Sequence, residues 1–66
     1  MIINGRCKLW NKDRGFGFLT SDAGLDHFAH CSDLKLDRDY LDQGELVRFE
    51  TEQSERGAKA INVELR

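Results

Sequence analysis

The sequence predicts a small all-β domain in which five short antiparallel strands form a closed or partly open barrel. Apolar and polar residues alternate over short segments, and turn-forming residues separate these segments about every ten residues. Helical periodicity persists over three turns in none of the segments. Barrel closure removes exposed strand edges and buries one face of every strand, which suits the small core that 66 residues allow. We therefore expect one domain over residues 1–66.

The first two predicted strands flank a turn at residues 11–13. Over residues 2–10 the cations and the tryptophan share one parity, whereas aliphatic side chains and a cysteine share the other. The first set is Arg6, Lys8 and Trp10, and the second is Ile3, Cys7 and Leu9. The second strand places Phe16 and Phe18 on one face and Leu19 on the opposite face.

The third predicted strand covers residues 26–31 and follows a turn at residues 21–24. Phe28 and His30 share one of its faces. The opposite face carries His27, Ala29 and Cys31. A loop then covers residues 32–44, with a helical turn near Ser32, and three leucines are expected to hold it against the barrel. These are Leu34, Leu36 and Leu41.

The last two predicted strands are residues 45–52 and 58–65, joined by a turn at residues 55–57. Alternation assigns one apolar face to each strand. Together these faces supply a plausible interior, which we predict to contain Cys7, Leu9, Leu19, Ala29, Val47, Phe49, Ile61 and Val63.

A second set of aromatic side chains falls on the opposite parities of the first three strands. These residues are Trp10, Phe16, Phe18, Phe28 and His30. Because the predicted interior is already full, we expect this set to form an exposed face, bordered by Lys8 and Arg14. Exposed rings stack on unpaired bases and cations pair with phosphates, so the pattern indicates single-stranded nucleic-acid binding. Gly15 and Gly17 would then let a ligand approach the backbone closely.

The charges are distributed unevenly along the chain, although the net charge is only −2. Residues 1–19 carry four cations against one acid, and residues 20–45 carry seven acids against two cations. The basic segment therefore coincides with the predicted aromatic face. Local charge decides the field that a ligand meets, and the acidic remainder predicts a modest electrostatic share of the affinity.

Composition also limits the cellular setting and the cofactor chemistry. The chain has no apolar run long enough to cross a bilayer and no secretion signal, so we expect a cytoplasmic protein with no membrane partner. Cys7 and Cys31 are expected to be reduced thiols. They and the two histidines are zinc-ligand types, but His27 and His30 should face opposite ways and no C-x-x-C pair occurs, so we expect no metal and no cofactor.

A catalytic role finds little support. His30 with a nearby carboxylate could act as an acid or base, but Asp22 and Asp26 are better explained as turn residues. No set of nucleophile, base and orienting group is visible in the sequence. The sequence therefore predicts a binding protein rather than an enzyme.

Six motifs in order resemble the cold-shock domain family, over nearly the whole chain. They are KLWN at residues 8–11, RGFGFL at 14–19, TSD at 20–22, HFAHCS at 27–32, QGELVRF at 43–49 and GAKAINV at 57–63. Each motif alone is weak, but their order and spacing make a strong match. The resemblance implies a five-stranded OB-fold barrel that binds single-stranded RNA or DNA on its first three strands. It also implies an RNA chaperone that melts weak secondary structure and can affect transcription or translation.

The resemblance also assigns binding roles to individual positions. The implied nucleic-acid-binding residues are Lys8, Trp10, Arg14, Phe16, Phe18, Phe28, His30 and Arg56, with Lys12 and Tyr40 as possible additions. Trp10 stands where the family usually has Phe, and four further positions depart from the family pattern. Leu9 stands where the family has an exposed Trp, Cys31 where a binding Phe is common, His27 in place of Val, and Ala58 in place of Pro. Losing two rings predicts weaker binding or a shorter site.

Two alternatives stay open at this point. The exposed aromatic face could instead dock a partner protein or a second copy of the chain. We expect a monomer, although exchange of strands between two copies is conceivable for a small barrel with long loops. Salt titration separates nucleic-acid binding from apolar docking, since only phosphate binding weakens steeply with ionic strength.

Overall fold

A computed structural model describes residues 1–55 and 57–66. In this described part of the chain, five strands and one short 3₁₀ helix follow one another in the order predicted. The elements are β1 (Ile3–Asn11), β2 (Phe16–Ser21), β3 (Asp26–His30), the 3₁₀ helix (Cys31–Asp33), β4 (Leu46–Ser54) and β5 (Gly57–Leu65). The helix occupies the place where a helical turn is predicted, near Ser32.

The strands form a closed barrel in the order β1-β2-β3-β5-β4, with β4 pairing back onto β1. This confirms the prediction of an all-β, five-stranded barrel. Four of the neighbouring pairs are antiparallel, whereas β3 and β5 run parallel and meet where Phe28 lies opposite Lys59. The parallel contact closes the barrel and could not be read from alternation within each strand.

A β-bulge in β1 corrects the prediction that Leu9 lies in the interior. Cys7 pairs with Leu19 and Leu9 pairs with Phe18, so Lys8 is an extra residue in the ladder. A bulge of this kind reverses the side of the sheet to which the following residues point. Leu9 is consequently 45% exposed, while Trp10 packs against the core.

A second bulge, between β4 and β5, exchanges the predicted roles of two neighbours in β5. Arg48 pairs with Glu64 and Glu50 pairs with Ile61, so β5 has one residue more than β4 in this interval. Asn62 adopts the left-handed backbone conformation there, with φ of 51°. As a result Ala60 is fully buried and Ile61 only half-buried, the reverse of the predicted parity.

The core otherwise contains the residues that alternation predicts. Its buried hydrophobic members are Cys7, Leu19, Ala29, Leu41, Val47, Phe49, Ala60 and Val63. The long loop is held as expected, because Leu41 is buried while Leu34 and Leu36 pack against the cluster. Two polar side chains, Ser21 and His27, are also buried. The His27 ring centroid lies 5.4 Å from that of Phe49, and its Nδ1 lies 3.3 Å from the Ala58 carbonyl oxygen.

The two cysteines are free thiols in different environments. Cys7 is buried in β1, and burial together with the carboxylates of Glu45 and Asp42 raises the pKa of its thiol to about 11. Cys31 is half-buried at the start of the 3₁₀ helix. Among residues 1–55 and 57–66, no helix has the length and hydropathy needed to cross a membrane.

Candidate nucleic-acid interface

Three phenylalanines lie together on the outer face of β2 and β3. Phe18 is directly opposite Phe28 in the ladder, and Phe16 is opposite His30. The ring centroids of Phe16 and Phe28 are 5.7 Å apart at a tilt of 32°, and those of Phe18 and Phe28 are 5.9 Å apart, edge to face. Alternation places their neighbours Gly17, Leu19 and Ala29 in the interior. We call Phe16, Phe18, Phe28 and His30 the aromatic platform.

Hydrogen bonds hold the imidazole of His30 at one end of the aromatic platform. The backbone N–H of Ser32 donates to Nδ1 over 3.1 Å, and the Ser32 hydroxyl lies 2.9 Å from the same atom. Since Nδ1 accepts, the neutral ring carries its proton on Nε2. Asp33 completes the arrangement by accepting from the His30 backbone N–H over 3.1 Å. The 3₁₀ helix therefore fixes this ring while leaving it exposed.

The bulge in β1 presents Lys8 and Leu9 consecutively on the outside. Leu9 lies opposite Phe18 and extends the aromatic platform with an aliphatic side chain. The Lys8 ammonium donates to Asp26 over 2.7 Å, and the Thr20 hydroxyl donates to the same carboxylate over 2.8 Å. The hydrogen bond from Lys8, followed by that from Thr20, lowers the pKa of Asp26.

Trp10 lies on the inner side of β1 and not on the exposed aromatic face that the sequence predicts. Its exposure is intermediate, like that of Phe16 and Phe28, but it packs against the core, and its indole Nε1 is buried without a hydrogen-bond partner among the described residues. A Cβ added to Gly17, which lies opposite it, would come within 2.5 Å of Trp10 Cε3 and collide with the Leu9 carbonyl oxygen. Gly17 therefore makes room for the indole and for β1, not for a ligand as the sequence suggested.

Gly15 also serves the fold. Its φ is 74°, a conformation that favours glycine, and an added Cβ would lie 3.0 Å from Cys31 Sγ. The Gly15 carbonyl oxygen accepts from the Cys31 backbone N–H over 2.7 Å. The glycine thus joins the turn before β2 to the 3₁₀ helix, and it brings the Cys31 thiol to the edge of the aromatic platform, 3.7 Å from His30 Nδ1.

Tyr40 and Lys12, the two additional candidates, contact one another. The Lys12 ammonium lies 4.3 Å from the centroid of the Tyr40 ring, and the Arg38 guanidinium lies 5.0 Å from it. Lys12 also lies 3.8 Å from Asp42, and Arg38 donates to Glu45 over 2.5 Å. The long loop is therefore joined to the β1–β2 turn by charged and aromatic contacts.

Comparison with known proteins finds a family match over nearly the whole chain. The family model described as "'Cold-shock' DNA-binding domain" matches residues 3–66. The chain belongs to the cold-shock domain family. Members of this family bind nucleic acid, and this chain carries its aromatic platform on the outer face of β2 and β3.

Several curated cold shock proteins are similar over most of their length. The chain is 44% identical to Cold shock protein 2 of Lactiplantibacillus plantarum over 62 residues, which cover 92% of this chain and 94% of that protein. It is 43% identical to cold shock protein CspC of Bacillus subtilis over 61 residues, or 91% and 92% of the two chains. It is 37% identical to the Major cold shock protein of Streptococcus pyogenes over 63 residues, covering 94% of each.

The remaining predicted cations of this cold-shock domain lie in different settings. Arg14 is exposed, and its backbone N–H donates to the Asn11 side chain over 3.1 Å, which closes the turn before β2. Within the described part of the chain, the Arg14 guanidinium makes no ion pair, whereas Lys8 is engaged by Asp26. Arg56 lies outside the described residues.

Sequence reasoning missed a further cation of the cold-shock domain, Lys59. It lies opposite Phe28 across the parallel contact between β3 and β5, and its ammonium is 3.5 Å from the Asp33 carboxylate. Alternation in β5 gives Lys59 the same parity as Ile61 and Val63, the predicted interior residues, so it does not mark Lys59 as a residue of the outer face. The signal that would have found it is the barrel closure, which depends on residues far apart in sequence.

The histidines and the aspartate considered above for a metal or catalytic site lie apart from one another in the structure. His27 is buried and His30 exposed, so they lie on opposite faces of β3 as predicted. Within residues 1–55 and 57–66, no group of three or more His, Cys, Asp or Glu side chains could hold a metal ion. Asp26 begins β3 instead of lying in the turn, so it stands at the opposite end of the strand from His30.

Proposed function

We propose that this cold-shock domain binds single-stranded RNA or DNA by stacking unpaired bases on the aromatic platform and that it acts as an RNA chaperone. The observation that carries the proposal is the position of Phe16, Phe18 and Phe28 on the outside of a barrel whose core is complete without them. Phe18 is 37% exposed although it is one of the most apolar side chains in the chain. Phe16 and Phe28 are half-buried beside it. Clustered rings that stay accessible on the outer face point to a ligand with π faces.

The spacing of the rings supports binding of several bases by separate rings. Neighbouring centroids are 5.7 and 5.9 Å apart and their planes are tilted against one another, so each ring offers its own surface. Stacking contributes about 1–3 kcal/mol per base and tolerates any base. Broad sequence tolerance is what a chaperone of many RNAs requires.

The cations around the aromatic platform support a moderate phosphate contribution. Arg14 is available at one end, whereas Lys8 and Lys59 are held by Asp26 and Asp33 and must exchange a carboxylate for a phosphate. Each phosphate contact to a single strand contributes a slope of about −0.7 in log K against log salt. We expect a shallow salt dependence for this reason.

Chaperone action follows from mass action and requires no chemical step. Protein bound to an unpaired segment withdraws that segment from the pairing equilibrium, and the fraction of melted hairpin rises with protein concentration. Base-paired RNA hides its bases from the aromatic platform, so only the open form gains the stacking energy.

Isothermal titration calorimetry with oligothymidine and oligouridine tests the proposal. Phe18→Ala and Phe28→Ala are expected to lower the affinity by about 1–3 kcal/mol each, the contribution of one stacked base. Leu65→Ala is the matched control, because Leu65 is 44% exposed on β5, which does not neighbour β1 or β2. Equal affinities for all three variants and the unmodified protein would overturn the proposed platform.

A further inference from the structure

A groove on the outer surface runs on from the aromatic platform past Lys8. It has a volume of about 510 Å³ and lies between β1, the start of β3 and the end of the long loop. Arg6, Lys8, Thr20 and Asp26 line one part of it. The groove adjoins the platform because Thr20 and Asp26 continue the β2–β3 ladder that pairs Phe18 with Phe28.

The opposite wall of the groove is fixed to β1 by backbone hydrogen bonds. The Gly44 N–H donates to the Cys7 carbonyl over 2.8 Å, and the Cys7 N–H donates to the Glu45 carbonyl over 2.9 Å. Gln43 and Gly44 thereby face Lys8 from the loop. Gly44 has φ of 89°, which turns the chain toward β4 at this point.

Two cations line this groove, and Arg6 is the one without an ion pair among the described residues. The ammonium of Lys8 is bonded to Asp26, and Asp26 is also bonded to Thr20. Arg6 is exposed and, among the described residues, forms no ion pair. By contrast, acids lie within 4.0 Å of six other described cations, namely Lys8, Lys12, Arg38, Arg48, Lys59 and Arg66.

We propose that this groove binds the nucleotide that follows the stacked segment, with its phosphate on the Arg6 guanidinium. A planar guanidinium donates two parallel hydrogen bonds to a phosphate, and an arginine without a carboxylate partner gives up no existing ion pair when it binds. The inference rests on the proposed function, since it extends the path of the same strand. It adds a length-dependent phosphate subsite beyond the rings, at which no aromatic side chain is required.

Oligothymidines of increasing length test the subsite by isothermal titration calorimetry. The affinity of the unmodified protein is expected to rise with length and then level off. Arg6→Gln is expected to bind short oligomers as well as the unmodified protein does. It should lose the last increment of affinity, about two- to fivefold, the range for an exposed ion pair. Its salt slope for long oligomers should fall by about 0.7.

Lys35→Gln is the matched control. Lys35 is likewise exposed and makes no ion pair within residues 1–55 and 57–66, but its backbone bonds to Val63 of β5, a strand that does not border β1. It should leave the affinity at every length unchanged. An equal loss of affinity from Arg6→Gln and Lys35→Gln would mean that both cations act only through the overall charge of the protein, and it would overturn the subsite. A loss of affinity from Arg6→Gln that is the same for short and long oligomers would overturn it as well.

A neutral methylphosphonate linkage at one end of a long oligomer gives an independent measurement. If Arg6 holds the terminal phosphate, a neutral linkage at the oligomer end that reaches Arg6 weakens binding to the unmodified protein. The same linkage leaves the affinity of Arg6→Gln unchanged. Equal effects on both proteins at both ends would contradict the proposal. If oligomers of no length bind the unmodified protein, the proposed function itself fails, which is a distinguishable result.

Discussion

The indole ring of Trp10 lies against Gly17, its partner across the β1–β2 ladder. A methyl group at Gly17 would stand 2.5 Å from Trp10 Cε3 and would also strike the backbone carbonyl of Leu9. A carbonyl in a paired strand and a ring packed against the core can each move aside only at a considerable cost in free energy. The pairing therefore depends on the absence of a side chain at Gly17.

Gly17→Ala is expected to destabilise the barrel by about 1–3 kcal/mol, the usual cost of overpacking a buried site. Urea unfolding of both proteins measures the difference. Gly24→Ala is the comparison, because Gly24 lies in the β2–β3 turn with φ of 86° and would suffer backbone strain without such a collision. A Gly17→Ala protein as stable as the parent would show that the indole can move aside.

Leu9→Trp is expected to strengthen binding of oligothymidine. Leu9 is exposed opposite Phe18, so an indole there would lie beside the aromatic platform and could stack one more base, with a gain of about 1–3 kcal/mol. Calorimetric titration measures the change, with Leu65→Trp as a control for a tryptophan placed elsewhere on the surface. Cys31→Phe is expected to act in the same direction at the other end, and no gain in either variant would refute the expectation that both positions limit binding.

The Arg38–Glu45 pair makes a pH-dependent contribution to stability. The hydrogen bond from Arg38, followed by that from the Asp42 backbone N–H, lowers the pKa of Glu45. A carboxyl group whose pKa is lower in the folded state stabilises the fold above its unfolded pKa, and this stabilisation is lost as the pH falls through the folded pKa. Glu45→Gln should therefore destabilise the protein at neutral pH by at most about 1 kcal/mol, and the difference should vanish in acid.

Urea unfolding at neutral pH and below the folded pKa of Glu45 measures this difference. Glu52→Gln is the control, since Glu52 is exposed on β4 and forms no ion pair within the described ranges. A difference between the parent and Glu45→Gln that stays constant down to low pH would show that the carboxylate charge contributes nothing.

The two thiols should differ in reactivity toward iodoacetamide. The thiolate is the reacting species, and burial with a pKa of about 11 makes Cys7 unreactive in the folded protein at neutral pH. Cys31, half-buried beside His30, should be alkylated first, and oligothymidine should slow its alkylation. Peptide mass mapping identifies the labelled residue. Undiminished labelling with saturating oligomer would place Cys31 outside the interface.

Sequence periodicity predicts the exposed faces well where the strands are regular. Phe16, Phe18 and Leu19 lie where alternation places them, because β2 pairs with β3 without interruption. It fails at Leu9 and Trp10 and again at Ile61, next to the two bulges. A bulge is defined by the number of residues in the opposite strand, which is information that the strand's own sequence does not contain.

The family pattern predicts Leu9 correctly where periodicity does not. The resemblance implies an exposed position at Leu9, and Leu9 is exposed, so the register of the bulge is implicit in the pattern. The position of Lys59 beside Phe28 could not be predicted in either way, since it depends on the parallel closure of the barrel.

The extra residue in β1 has a consequence for engineering this surface. Because Lys8 and Leu9 are consecutive and both point outward, two adjacent positions can be varied for ligand preference while Cys7 and Trp10 on either side hold the interior. Under the proposed function, residues that contact the ligand and residues that hold the core are thus neighbours in the same strand but can be changed separately. A library of variants restricted to residues 8 and 9 would change the outer surface without changing a residue of the core.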